Sequence, residues 1–143
     1  ALAGSWAQKR KYQHEKMQKR YDHLYAPFVK LLLSETHGAF LFTDLDNSLQ
    51  RRFIDTLLQN YQYSDADLQD LIYLFQSAYD NRHKYSSNDA NQYFFDIAND
   101  IFSTYKLMNQ KLYYESKFLK KKKHEIEKRI LKAAERHRSN EVN

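Results

Sequence analysis

Cysteine is absent from this chain of 143 residues, which also contains only two glycines and one proline. The absence of cysteine excludes a disulfide framework, thiol catalysis and cysteine-ligated zinc. The scarcity of glycine and proline leaves few residues suited to tight turns, which argues against a β-sandwich or a β-barrel. The sequence also lacks a run of about 20 apolar residues, the length that a helix needs to cross a bilayer. An all-α fold is the class that remains.

Glycine and proline are missing altogether after Gly38, and the sequence predicts one very long C-terminal helix from about residue 88 to about residue 137. Apolar side chains recur at helical spacing through this stretch, from Phe94 to Ala133. Such a helix would extend for about 70 Å, because each residue adds about 1.5 Å. We therefore expect the rest of the chain to pack along it.

Three shorter helical segments precede the long helix, which gives an all-α bundle of four to five helices. The first covers residues 6–36 and contains Pro27, which predicts a kink or a short break near Ala26. The second and third cover residues 43–60 and 64–84. Each of these two begins with a residue that is suited to capping a helix.

The core should form where the first and the last of these helices cross. Its predicted members are Leu24, Phe28, Ile101 and Met108. Residues 1–138 are predicted to form a single helical-bundle domain, because no linker interrupts the helical pattern. Residues 139–143 are mostly polar and are predicted to form a disordered tail.

Metal and acid–base chemistry would need clustered histidines and carboxylates, and the sequence does not supply them. No two of its six histidines lie three or four residues apart, and no Glu-x-x-His pair occurs. Asp44 with Asp46, and Asp65 with Asp67, lie at helix starts and lack the glycine and further ligands of a calcium loop. Nothing resembles a nucleophile elbow or a glycine-rich phosphate loop. The sequence therefore predicts a non-enzymatic protein without a metal or a cofactor.

The net charge of +5 conceals a separation of charge along the chain. Residues 1–30 hold seven Lys and Arg against two acids, and residues 111–143 hold eleven against five. Residues 31–110 hold five against eleven, so two basic ends flank an acidic middle. This excess of positive charge at both ends favours an anionic partner.

The candidate residues for binding an anionic partner lie in both basic ends. They are Trp6, Lys9, Arg10, Lys11, Lys16, Lys19, Arg20, Lys117, Lys120, Lys121, Lys122, Lys123, Lys128 and Arg129. Trp6 follows a short apolar start and precedes a basic cluster, a pattern typical of the cytoplasmic exit of a membrane-spanning helix. An ordinary helix start explains the same residues.

We expect a helical interaction module at the cytoplasmic face of a membrane, either anchored by a segment before Ala1 or held peripherally. If the first and last helices pack antiparallel, both basic segments meet at one pole of the bundle and the acidic middle lies at the far end. The basic pole would then face an anionic leaflet. An unknown protein partner fits the same module, and nucleic acid is the alternative ligand of the basic pole.

A third hypothesis is self-association through the long C-terminal helix. The residues that predict it are Leu112, Leu119, Ile126 and Ala133. Their spacing of seven is the repeat of a coiled-coil seam, which could pair with a second copy of the chain as a homodimer.

Overall fold

The computed structural model of the protein describes residues 2–36, 41–84, 87–112 and 117–142. The helical segments are α1 (Leu2–Arg20), α2 (Ala26–Glu35), α3 (Asn47–Gln59), α4 (Ala66–Asp80), α5 (Ser87–Leu112) and α6 (Lys117–Val142). Two short 3₁₀ turns, Phe42–Asp44 and Tyr61–Tyr63, lead into α3 and α4. No strand occurs in the described ranges, so the prediction of an all-α fold is confirmed.

A π-helical turn at Tyr21–Tyr25 joins α1 and α2 into one continuous rod. The Ala26 amide donates to the Tyr21 carbonyl, five residues back, and Ala26 itself keeps helical backbone angles. Pro27 explains the wide turn, because it has no amide hydrogen and its ring would clash with the carbonyl of His23 in a regular helix. The irregularity predicted near Ala26 is therefore a π turn and not a break. Counting the rod as one helix gives five in the described residues.

The predicted single helix over residues 88–137 is wrong. In its place are two helices of 26 residues each, α5 and α6, which lie antiparallel. The Lys106 ammonium contacts the Glu127 carboxylate, although these residues would be about 30 Å apart in one straight helix. Residues 113–116, between the two helices, lie outside the described ranges.

Burial of apolar surface explains why α6 returns along α5. Ile126, Ile130 and Ala133 follow the helical period, and only 2%, 7% and 5% of their surface remains exposed. A single extended helix would leave these side chains in water unless another element covered them. Antiparallel packing on α5 places them in the core instead, and this burial stabilises a helix that is otherwise strongly polar.

The rod of α1 and α2 also packs antiparallel to α5. The Tyr21 ring stacks on the Tyr105 ring with 5.5 Å between centroids, and farther along the rod Phe28 meets Phe94. The structure buries the four residues predicted for the core, Leu24, Phe28, Ile101 and Met108. That prediction is confirmed.

Aromatic rings from five segments meet at Phe94 in α5. Its centroid lies 4.9 Å from that of Phe42, 5.2 Å from Phe53, 5.9 Å from Phe75 and 6.2 Å from Phe28. These partners come from the 3₁₀ turn before α3, from α3, from α4 and from α2. Tilted and edge-to-face pairs at such distances each contribute about 0.5–1.5 kcal/mol beyond the burial of area. Phe94 thus connects most of the elements of the fold.

The helix ends differ from their predicted positions by a few residues. Asp46 caps α3 and Asp65 caps α4, each accepting a hydrogen bond from the amide three residues on, at 2.7 Å and 2.9 Å. The residues predicted for these caps are Thr43, with Asp44 as the alternative, and Ser64. At the C-terminus, α6 covers residues 139–142, where a disordered tail was predicted. No glycine or proline stops the helix there, and each further residue only extends an existing hydrogen-bond ladder.

Candidate anion-binding surface

The N-terminal part of α1 stands clear of the bundle. Every residue from 4 to 16 is exposed, and these consecutive positions cover all faces of a helix with about 3.6 residues per turn. Farther along the rod, Met17 and Tyr21 pack against the core. We call residues 4–16 the projecting segment. Because it is continuous with a packed helix, it does not bear the cost of nucleating a helix by itself.

The projecting segment is basic and carries two exposed aromatic rings. It holds four Lys and Arg side chains against a single acid, Glu15. The Arg10 guanidinium lies 4.6 Å from the centroid of the Trp6 ring, a cation–π contact. Trp6 and Tyr12 nevertheless remain 62% and 66% exposed. None of the lysines of this segment forms an ion pair with any residue that the structure describes.

Arg20, also predicted as a binding residue, connects α1 to the rest of the fold. Its Nε donates to the Tyr63 carbonyl and its Nη2 donates to the Tyr25 hydroxyl, both at 3.0 Å. Burial raises the pKa of Tyr25, and the charge and hydrogen bond of Arg20 oppose that rise. Arg20 therefore fixes the base of the projecting segment on the turn between α3 and α4.

The second group of predicted basic residues lies on α6. Lys121 and Lys128 are exposed and Arg129 is partly buried. The side chains of the remaining four predicted lysines lie outside the described part of the chain: Lys117, Lys120, Lys122 and Lys123. The structure thus tests the exposure of only three of the seven basic residues predicted on α6.

The start of the second basic segment, at the N-terminal turns of α6, lies at the same end of the bundle as the projecting segment. The later basic residues of α6 lie toward the other end, where Lys132 and Arg136 line a cavity with Leu41. The antiparallel packing expected of the first and last helices holds for the rod and α5. The rod and α6 run in the same direction, because each of them packs antiparallel to α5. From the Tyr21–Tyr105 stack, the projecting segment and the C-terminal turns of α5 both extend toward one end. Lys121 lies six residues, about 9 Å, before Glu127 on α6, and therefore toward that same end.

Part of the acidic middle lies beside the base of α1 and not at the far end of the bundle. Burial raises the pKa of Asp100, the charges of Asp65 and Asp67 raise it further, and Arg20 opposes them. One oxygen of Asp100, Oδ2, is buried without a hydrogen-bond partner. Arg20 therefore lies close both to the other cations of α1 and to the carboxylates of Asp65, Asp67 and Asp100.

A cavity of about 350 Å³ opens at this junction, and sequence reasoning did not find it. Lys16, Lys19 and Arg20 line it from α1, and Gln62, Tyr63 and Asp65 line it from the turn before α4. The spacing of the three cations on one helix face was visible in the sequence. The sequence did not show that these cations lie opposite the turn before α4, because the Arg20–Tyr63 contact joins residues 43 positions apart.

The seam predicted for self-association faces the protein's own core. Ile126 and Ala133 are buried, and Leu112 is partly buried against the same cluster. The side chain of Leu119 lies outside the described residues. At the seam positions that the structure describes, apolar surface is therefore covered within one copy of the chain.

Within the described residues, no helix is both long enough and apolar enough to span a membrane. The same residues bring no three His, Asp or Glu side chains together as a metal site requires. Compared with protein families, curated proteins and solved structures, the chain matches none. Its function is therefore inferred from its own geometry and charge.

Proposed function

We propose that the protein is a non-enzymatic helical interaction module that binds an anionic membrane surface, at the cytoplasmic face, through the projecting segment. One observation carries the proposal: this segment is basic, exposed on every side and free of ion pairs within the described residues. A charged segment whose side chains are all exposed is available to a partner, and its positive sign selects an anionic one. Each Lys or Arg close to an anionic leaflet adds about 1 kcal/mol to binding.

The exposed aromatic rings favour a membrane over a nucleic acid. Trp and Tyr rings combine an apolar body with a polar tip, which suits the boundary between headgroups and acyl chains. Trp6 and Tyr12 are both mostly exposed and both adjoin cations. Lys121, exposed near the start of α6, lies toward the same end and adds positive charge there.

The test compares lipid vesicles with a short DNA duplex at one ionic strength. Vesicles that contain phosphatidylserine should retain the protein at low salt, and vesicles of phosphatidylcholine alone should not. Retention should weaken as salt rises, because exposed charges are screened beyond about 8–10 Å near physiological ionic strength. Duplex binding has the same salt dependence, so the deciding quantity is the ratio of the two affinities.

The variant that tests the segment reverses Lys9, Arg10 and Lys11 to Glu, all in the projecting segment. It should lower retention on anionic vesicles at least about tenfold. A matched control reverses three exposed cations elsewhere, Lys30→Glu, Arg51→Glu and Lys84→Glu, and should bind close to the wild-type level.

Three results would contradict the proposal. The first is an equal loss of vesicle retention in the two variants, which would mean that binding depends on net charge and not on the projecting segment. The second is the absence of retention on anionic vesicles at low salt. The third is duplex binding about tenfold tighter than vesicle binding, which would assign the segment to nucleic acid.

A further inference from the structure

Two of the three cations that line the cavity at the base of α1 have no ion-pair partner among the described residues. Lys16 and Lys19 are exposed along its edge and form no ion pair with any residue that the structure describes. Arg20 is held in place by its bonds to the Tyr63 carbonyl and the Tyr25 hydroxyl, and its guanidinium has further N–H donors beyond those two. The positions of these three residues, spaced by three and four, place their charges on one side of the helix.

A cavity lined by one oriented guanidinium and two flexible lysines is suited to binding a phosphate group. A guanidinium offers directed N–H donors to phosphate oxygens, while a lysine ammonium acts as an adjustable point charge. Arg20 supplies the first kind, already oriented by the turn that it contacts. Lys16 and Lys19 supply the second kind from the rim, and their long side chains can follow the ligand.

The opposite wall of the cavity is neutral or acidic, which restricts the ligand further. Gln62 offers an amide, and Asp65 offers a carboxylate that already accepts one hydrogen bond, from the Leu68 amide. A carboxylate beside a phosphate site repels ligands that carry negative charge on every side. It accepts hydrogen bonds from hydroxyl groups, so the wall favours a ligand with hydroxyls next to its phosphate.

We propose that this cavity binds a phosphate monoester carried on a hydroxylated ring, with the phosphate on Lys16, Lys19 and Arg20 and the ring hydroxyls on Gln62 and Asp65. The volume of about 350 Å³ lies within the range of small-ligand sites, about 300–1,000 Å³. Such a group occurs as the headgroup of a phosphorylated inositol lipid and as a free inositol phosphate. In its lipid form, this inference rests on the membrane binding proposed above.

The position of the cavity allows the lipid form. Lys9, Tyr12, Lys16 and Lys19 follow one another at intervals of three or four residues, so they lie on one side of α1. A projecting segment that lies along a leaflet on this side brings the rim of the cavity to the same surface. The segment would supply general attraction to negative charge, and the cavity would supply selectivity for one headgroup.

The test measures binding to two vesicle types of equal surface charge and to soluble inositol 4-phosphate. One vesicle contains phosphatidylinositol 4-phosphate and the other contains phosphatidylserine. The phosphoinositide vesicle should bind at least about tenfold more tightly, and soluble inositol 4-phosphate should compete with it. In the Lys16→Gln, Lys19→Gln variant this preference should disappear. The matched variant Lys9→Gln, Lys11→Gln removes equal charge outside the cavity, and it should weaken both vesicles while keeping the preference.

The outcomes separate the cavity from the membrane proposal. Equal binding to the two charge-matched vesicles, with no binding of inositol 4-phosphate, overturns the cavity site and leaves membrane binding standing. Binding of inositol 4-phosphate without retention on either vesicle overturns membrane binding and assigns the cavity a soluble ligand. A preference that survives in the Lys16→Gln, Lys19→Gln variant also overturns the site, because selectivity would then arise elsewhere.

Discussion

Asp100 carries its charge in unfavourable surroundings. It lies on α5 with one carboxylate oxygen buried and without a partner, and burial is the main cause of its raised pKa. Asp65 and Asp67 add to the rise, while Arg20 reduces it. An ionised carboxylate in such a place destabilises the fold, because part of its hydration is lost and its nearest acidic neighbours repel it.

We expect Asp100→Asn to stabilise the protein at neutral pH. A carboxyl whose folded-state pKa lies above its unfolded value of about 3.8 contributes stability that is fully present below that value. This contribution is lost as the pH rises through the folded-state pKa, so ionised Asp100 is unfavourable at neutral pH. Urea unfolding followed by circular dichroism should show the variant more stable at neutral pH, with the difference shrinking in acid.

The control for that measurement is Asp70→Asn, at an exposed aspartate of α4, which should change stability little at either pH. A neutral-pH loss of stability in Asp100→Asn would instead mean that the Asp100 carboxylate holds a contact that stabilises the fold.

Other residues show why some contacts could not be predicted from the sequence. Asp46 and Asp65 cap their helices through amides three residues away, so sequence reasoning placed both caps within three positions. Asn91 and Thr43 instead exchange two hydrogen bonds of 3.1 Å across 48 positions. No periodicity marks such a pair, because its geometry exists only once the helices have packed.

Among the helices, periodicity identified the apolar stripe of α6 but not the surface on which this stripe packs. The stripe through Ile126, Ile130 and Ala133 fits a continuous helix, a coiled coil or a return along α5 equally well. The chain adopts the return of α6 along α5 because this arrangement buries the stripe within the same chain, without a second copy. In α1 the polar residues 4–16 offer no apolar stripe that the core could bury, and they project.

Hydrogen exchange should reveal this difference between the two helices. Amides of residues 126–133 in α6 should exchange slowly, because their side chains anchor the helix in the core. Amides of residues 4–16 should exchange fast, since no side chain there packs on the bundle. Residues 28–32 of α2, mostly buried, provide a slow internal reference. Slow exchange over residues 4–16 in a monomer, or fast exchange over 126–133, would contradict this arrangement.

For the complete fold, composition was enough to predict the class, because few glycines and prolines predicted an all-α fold. Charge along the sequence did not show that the basic residues of α6 extend from one end of the bundle to the other. The cavity at the base of α1 could not be predicted, because it needs residues from two distant segments in one place. Which aromatic residue would stand at the centre of the core was equally inaccessible, since the sequence offers nine Phe and twelve Tyr.

Phe94 should be the side chain on which the stability of the whole fold depends most. It is 1% exposed and meets four other phenylalanines, each from a different segment. Phe94→Ala should therefore cost about 3–5 kcal/mol, through lost burial and the cavity that it leaves, and Phe94→Leu should cost less. Urea unfolding monitored by circular dichroism gives these differences, and the transition should remain single because one core joins the elements.

Tyr73→Ala is the matched control for Phe94→Ala, because it also removes a large ring but from a side chain that is 70% exposed. It should change stability by no more than about 0.5 kcal/mol. A cost for Phe94→Ala below about 1 kcal/mol would mean that the rings close up around the vacancy or that the segments do not share one core. Separate transitions in the variant would support the second explanation, because elements that no longer share a central ring can unfold independently.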